Sequence, residues 1–224
     1  MTAKSIKGKS TEEIQVALQQ AMNDGFKPTL AIAFISIKQD RRAVCELLSN
    51  KGIDIFGATS CAEFSNDHES EGGAVIMLFD MNRDNYSILF TPIEGDSINN
   101  AVAVTSNFAK QKFTNPSLII CSTGMNKKQE YFDGETFVRS LEKNLGPDTV
   151  FFGGMAGDDW TFSGTYVFNN QQETDLGMIA LVIDSDKVSI KGMAITGWKP
   201  MGISRKVTKS KGPLLYSIVM GTFI

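Results

Sequence analysis

Asp54-Ile55-Phe56-Gly57-Ala58-Thr59-Ser60-Cys61-Ala62-Glu63-Phe64 and Val150-Phe151-Phe152-Gly153-Gly154-Met155-Ala156-Gly157-Asp158-Asp159-Trp160 are two readings of one pattern. An apolar run of strand length closes on Phe-Gly, and an acid followed by an aromatic comes five residues after the position next to that glycine: Glu63-Phe64 in the first copy, Asp159-Trp160 in the second. Read as a strand followed by a glycine-acidic loop, each stretch ends one turn of a larger repeat. Upstream of both lies a proline and another apolar run, Pro28-Thr29-Leu30-Ala31-Ile32 and Pro116-Ser117-Leu118-Ile119-Ile120. These near-continuous apolar runs fit strands covered on both faces.

Helices fill the intervals. Ser10 with Glu13 three residues later is a capping box, and Ile14, Val16, Ala17, Leu18 and Ala21 then run toward a stop at Gly25. Asp40 opens a second helix that ends near Gly52, residues 97–112 form a third, and residues 134–145 form a fourth. Residues 73–79 and 86–91 read as strands of a hairpin joined by the turn-like residues 80–85. The expectation is an α/β fold built from an internally duplicated unit of helix, strand-helix-strand and hairpin, with mixed sheets flanked by helices. The repeat units run over about 11–96 and 97–199. Pro28 to Gly57 spans 29 residues and Pro116 to Gly153 spans 37, a surplus that falls in the polar stretch 125–133 and reads as a loop insertion.

With 224 residues, 42% of them hydrophobic, the chain has ample material for a buried core. A formal charge of -3 supplies no basic excess for neutralising a phosphate backbone, which argues against nucleic acid. Residues 1–10 are basic and polar and lack the apolar core of a secretory signal. No apolar run reaches the roughly 18 residues that cross a bilayer, so no membrane insertion is expected of this chain. Three scattered cysteines, Cys45, Cys61 and Cys121, suit a reducing compartment, and the expected localisation is cytoplasmic.

The glycines of the second stretch permit a close approach to bare backbone, and N–H groups at a strand end can form an anion-binding concavity. Asp158 and Asp159 either bind an amine or a metal ion or cap neighbouring backbone. Open α/β sheets bind ligands at the carboxyl ends of their strands, where both glycine stretches fall. Neither a dinucleotide fingerprint nor a P-loop is present, and no cofactor is expected. A single histidine, His68, rules out a multi-histidine metal site within the chain. It also leaves catalysis with few options: a Cys61–His68 pair, or Glu63 and Asp159 acting as paired acids. The expectation is that the protein is not an enzyme. A further landmark, Gly197-Trp198-Lys199-Pro200-Met201-Gly202, follows strand-like residues 188–195, and its tryptophan either lines a pocket or plugs a sheet end.

From about Pro28 to Tyr216 the chain resembles the FIST domain, a sensory domain of bacterial signal-transduction proteins that also occurs in eukaryotic F-box proteins. The resemblance is carried by Gly153-Gly154-Met155-Ala156-Gly157-Asp158-Asp159 and by Gly197-Trp198-Lys199-Pro200-Met201-Gly202 followed by Val207-Thr208-Lys209. In the first stretch Ala58 stands where the family usually has cysteine, and Ala62 where it has glycine. The resemblance implies a FIST N-terminal domain over residues 28–216, preceded by an N-terminal segment and helix (1–27) and followed by an apolar tail (217–224) that leads toward a C-terminal half. It also implies a module that binds a small molecule, amino acids among the candidates, and passes the event to an output domain or partner protein. The expected ligand-binding residues are Thr59, Ser60, Glu63, Gly157, Asp158, Asp159 and Trp198. The rival expectation is a protein-interaction scaffold with an exposed apolar patch.

Overall fold

The computed structural model describes residues 1–65, 68–93, 97–193, 197–211 and 214–220. They divide into two compact units, Met1–Ile190 and Lys191–Ile224.

In chain order the first unit contains β1 (Thr2–Gly8), α1 (Thr11–Met22), β2 (Leu30–Ser36), α2 (Arg41–Ser49), β3 (Asp54–Ser60), β4 (Glu63–Ser65), β5 (His68–Ser70), β6 (Ala74–Asp80) and a 3₁₀ turn (Arg83–Asn85). It continues with β7 (Tyr86–Pro92), α3 (Ile98–Lys112), β8 (Pro116–Ser122), α4 (Gly134–Leu145), β9 (Phe151–Met155), β10 (Val167–Phe168), β11 (Glu173–Thr174) and β12 (Gly177–Asp184). The helices start where their caps are written. Ser10, Asp40, Ser97 and Asp133 each accept a hydrogen bond from a backbone N–H three residues on, an arrangement that stabilises a helix by about 1 kcal/mol.

Two large sheets result, with strand orders β1-β6-β2-β3-β10-β11 and β7-β12-β8-β9, and β4 and β5 form a separate antiparallel pair. Apart from β10 and β11, the connections of the two large sheets match. β1–β6 and β6–β2 are antiparallel and β2–β3 is parallel, while β7–β12 and β12–β8 are antiparallel and β8–β9 is parallel. Ala33 lies opposite Gly57 in the first sheet as Ile120 lies opposite Gly153 in the second.

Alternation along the strands distributes side chains among three cores. Ala31, Ala33, Ile35 and Ile55 pack with α1 and α2, whereas Leu30, Phe56 and Ala58 turn the other way. On β12, Met178, Ala180 and Val182 pack with α3 and α4, and Ile179, Leu181 and Ile183 meet the residues turned away from α1 and α2. The layers are therefore helices, sheet, sheet, helices. Both faces of each central strand are buried, which is why β2, β8 and β12 are apolar almost throughout.

Four elements differ from the sequence expectation. The basic N-terminus is a strand: β1 pairs along β6 as a sheet edge, with Ile6 as its one buried residue, and its lysines suit an exposed edge. Strands β6 and β7 do not form a hairpin. β6 lies between β1 and β2, and the 3₁₀ turn carries the chain into the second sheet, which β7 opens. Residues 57–60 and 153–155 belong to strands rather than loops. Residues 188–193 form no strand; Val188 and Ile190 instead pack by their side chains against the core between the sheets. Residues 194 and 195 of that expected strand lie outside the described residues.

The second unit contains an antiparallel pair, β13 (Arg205–Lys211) and β14 (Leu214–Met220), with a register shift near Lys209. Among the described residues no helix is long and apolar enough to cross a membrane.

Gly57 shows what the strand glycines are for. A Cβ built there would lie 2.1 Å from the ring of Phe168, whereas one built on Gly154 would meet nothing within 4 Å. Gly57→Ala is expected to lower stability by about 1–3 kcal/mol through overpacking, and Gly154→Ala to change it by no more than about 0.5 kcal/mol. Urea denaturation of the two variants measures both, and equal effects would contradict the packing argument.

Candidate functional site

The carboxyl ends of β2 and β3 place Ser36 beside Ser60 in register. Around this pair the chain gathers two acids. Glu63, 1% exposed, accepts a hydrogen bond from the Ser60 hydroxyl at 2.8 Å through Oε1 and one from the Gly73 N–H at 3.1 Å through Oε2. Asp159 arrives from the other half of the unit. Its N–H donates to the Ser60 carbonyl at 3.2 Å, and its Oδ2 accepts from the Ser36 hydroxyl at 2.5 Å. The two acids of the repeated pattern therefore converge on the end of β3.

Their neighbours hold the segment in place. The Thr59 N–H donates to the Tyr166 carbonyl, and the Thr59 hydroxyl oxygen accepts from the Tyr166 N–H, both at 2.9 Å. The Gly157 N–H donates to the Thr59 carbonyl at 2.9 Å. A Cβ on Gly157 would lie 2.4 Å from the Cys61 sulfur and 2.8 Å from the Cys61 nitrogen, so backbone packs directly on backbone there. Asp158 is a cap: its Oδ2 accepts from the N–H groups of Ser163 at 2.8 Å and Gly164 at 3.3 Å, and its carbonyl accepts from Thr161.

Asp159 differs from all of these. Its Oδ1 is buried and has no hydrogen-bond partner among the described residues. None of the described ion pairs involves Asp159 or Glu63. Its backbone is left-handed at φ +52°, as are Trp160 at +61° and Phe162 at +52°. Non-glycine residues hold such angles at a cost of about 1–3 kcal/mol each, and they concentrate at functional sites. The aromatic partners of the acids point outward, with Phe64 70%, Trp160 75% and Phe162 59% exposed.

Of the expected site residues, Thr59, Ser60, Glu63, Gly157, Asp158 and Asp159 form one continuous arrangement, in which Thr59, Gly157 and Asp158 serve the backbone. Trp198 belongs to the second unit. Ser36 escaped the sequence reading; the signal for it was a hydroxyl at the end of an apolar strand run, beside a parallel strand ending in Thr-Ser. Three N–H groups around the pair are already engaged: those of Gly157, Asp159 and Gly73 donate to the Thr59 carbonyl, the Ser60 carbonyl and the Glu63 carboxylate respectively. The side chain of His68 lies outside the described residues, and with it the Cys61–His68 pair.

Fold and candidate site together define a mixed α/β domain that gathers carboxylates and hydroxyls at the ends of its strands. The chain belongs to the FIST family: the model of the FIST N domain matches residues 29–218. FIST domains are a sensory family, which is consistent with a sensor in signal transduction. No curated protein matches the sequence.

Two measurements check the packing of the site. Glu63→Ala leaves a buried hydroxyl and a buried N–H without their acceptor and is expected to cost about 3 kcal/mol; a loss below about 1 kcal/mol in chemical denaturation would show that Glu63 is not an anchor. Burial pushes the thiols of Cys45 and Cys121 up to about 12, so both should resist alkylation in the native state. Cys61 is half-buried and should react first when labelled sites are mapped by mass spectrometry.

Proposed function

We propose that this domain senses a small molecule carrying an ammonium group, such as an amino acid or another amine, at Glu63, Asp159, Ser36 and Ser60. The observation that carries the proposal is Asp159 Oδ1, a buried carboxylate oxygen without a partner. Leaving a buried carboxylate oxygen without a donor is costly, and a bound cation with N–H donors would remove that cost. The left-handed run around Asp159 holds the carboxylate in position without a local helix or strand to do so. Because nearby N–H groups are already engaged, the ammonium end of an amino acid is better provided for than its carboxylate. Nothing in this reading requires turnover: the carboxylates bind and do not act on the ligand. Sensing then requires that the ligand favour one arrangement of residues 157–164 over another, with an output domain or partner protein as the recipient.

A scaffold reading has its own support in the exposed Phe64, Trp160 and Phe162, which lie beside the acids and are suited to a protein partner. A thermal-shift screen against amino acids and simple amines separates the two. At a hundredfold excess over Kd a ligand should stabilise the chain by about 2.7 kcal/mol, a rise of several degrees in Tm. Asp159→Asn should abolish that rise while leaving the unliganded protein folded. If no amine raises Tm, or if the Asn variant responds as the parent does, the amine-sensing reading is wrong.

A further inference from the structure

The matched sheets differ at one place. In the first sheet the outer edge of β3 is covered: β10 pairs with it antiparallel, Val167 opposite Ala58 and Phe168 opposite Gly57. The ring of Phe168 lies against Gly57 and is buried in the core that α2 contributes with Val44, Cys45 and Leu48. In the second sheet β9 occupies the corresponding position, and among the described residues it pairs with β8 alone.

The helices flanking these two strands match residue for residue. Val44, Cys45 and Leu48 follow the cap Asp40 by four, five and eight positions, and Phe137, Val138 and Leu141 follow the cap Asp133 by the same intervals. Burial does not match. Cys45 is 9% exposed and Val138 is 44% exposed, while Gly57 and Ala58 are buried and Gly153 and Gly154 are exposed. Where Phe168 stands in the first half, the second half has an apolar groove of 370 Å³ between β9 and α4, lined by Phe137, Val138, Leu141, Phe151, Gly153 and Met155.

We propose that β9 and this groove form a strand-addition site for a partner protein. The partner contributes an extended segment that pairs antiparallel along residues 151–155 and places one aromatic side chain in the groove, as β10 and Phe168 do on β3. The protein's own first half specifies this occupant: a strand on a strand followed by glycine, with a ring between that glycine and the flanking helix. Backbone hydrogen bonds along an open edge give such sites their affinity, and a side-chain pocket gives selectivity. An uncovered edge with an apolar groove is otherwise an aggregation hazard. The site lies on the edge of the second sheet and does not depend on the amine-sensing proposal.

The test uses the full chain, labelled with ¹⁵N, and a synthetic peptide with the sequence of residues 164–171, which contains Tyr166-Val167-Phe168. Saturable shifts at residues 151–155 and along α4 are expected. The Phe168→Ala peptide should bind about tenfold or more weakly. Val138→Glu, at the groove rim, should abolish binding without lowering Tm; Met155→Glu serves the same purpose should the first variant fold poorly. The proposal is overturned if no shifts occur at residues 151–155, or if the Phe168→Ala peptide binds equally well. It is likewise overturned if shifts are confined to residues 54–60, where the peptide would displace β10, or if residues 151–155 pair with a second copy of the chain instead.

Discussion

The outer edge of β3 is the constraint on which the rest of the first unit depends. After β9 the chain leaves the second sheet and returns to the first, where Gly157, Asp159, Tyr166, Val167 and Phe168 all attach to residues 57–60. Gly57 makes the attachment possible because only a bare backbone leaves room for the Phe168 ring. Burying such a ring contributes about 1.5–3 kcal/mol. Val167 and Ala156 enter the core between the sheets from the same segment. One seam thus fastens the two halves and completes the core they share.

The site is a by-product of that seam. Residues 158–164 span between two anchored points, the Gly157 N–H on the Thr59 carbonyl and the reciprocal bonds of Thr59 with Tyr166. Within that span Asp158 folds the turn back on itself through Ser163 and Gly164. Left-handed angles at Asp159, Trp160 and Phe162 persist because both ends are fixed. The carboxylate of Asp159 is consequently held by the geometry of the crossing chain, and Glu63 is held by Ser60 and Gly73 on the other side.

Much of this was legible in the sequence, for reasons tied to particular residues. The first two helix starts were written in Ser10 and Asp40, and the strand runs were apolar on both faces because both faces are buried. The acid pair was legible because Glu63 and Asp159 keep the same offset from Phe-Gly. Glycine misled the reading at Gly57 and Gly153: its usual meaning is a turn, but here it admits a ring in one strand and, at Gly153, a carbonyl, since a Cβ there would lie 1.9 Å from the Ile120 oxygen. β1 carries a single buried apolar residue, too little for a periodic signal. The β6–β7 hairpin failed because sequence adjacency and a turn-like link do not specify which sheet a strand joins. The groove beside β9 could not be read at all, since it exists only as the difference between two aligned halves.

That difference also bears on signalling. β9 ends at Met155, and Asp159 follows four residues later through backbone packed directly against Cys61. There is no flexible linker between the open edge and the acid site; Ala156 is tied to Ser122 and Gly157 to Thr59 by backbone hydrogen bonds. A strand that altered the course of β9 would therefore act on the position of the Asp159 carboxylate, and a cation fixed at Asp159 would act on β9. Linkage makes any such coupling reciprocal: a ligand that strengthens the partner's grip must itself be held more tightly when the partner is bound. The short path from edge to carboxylate would supply the physical connection that such a coupling needs.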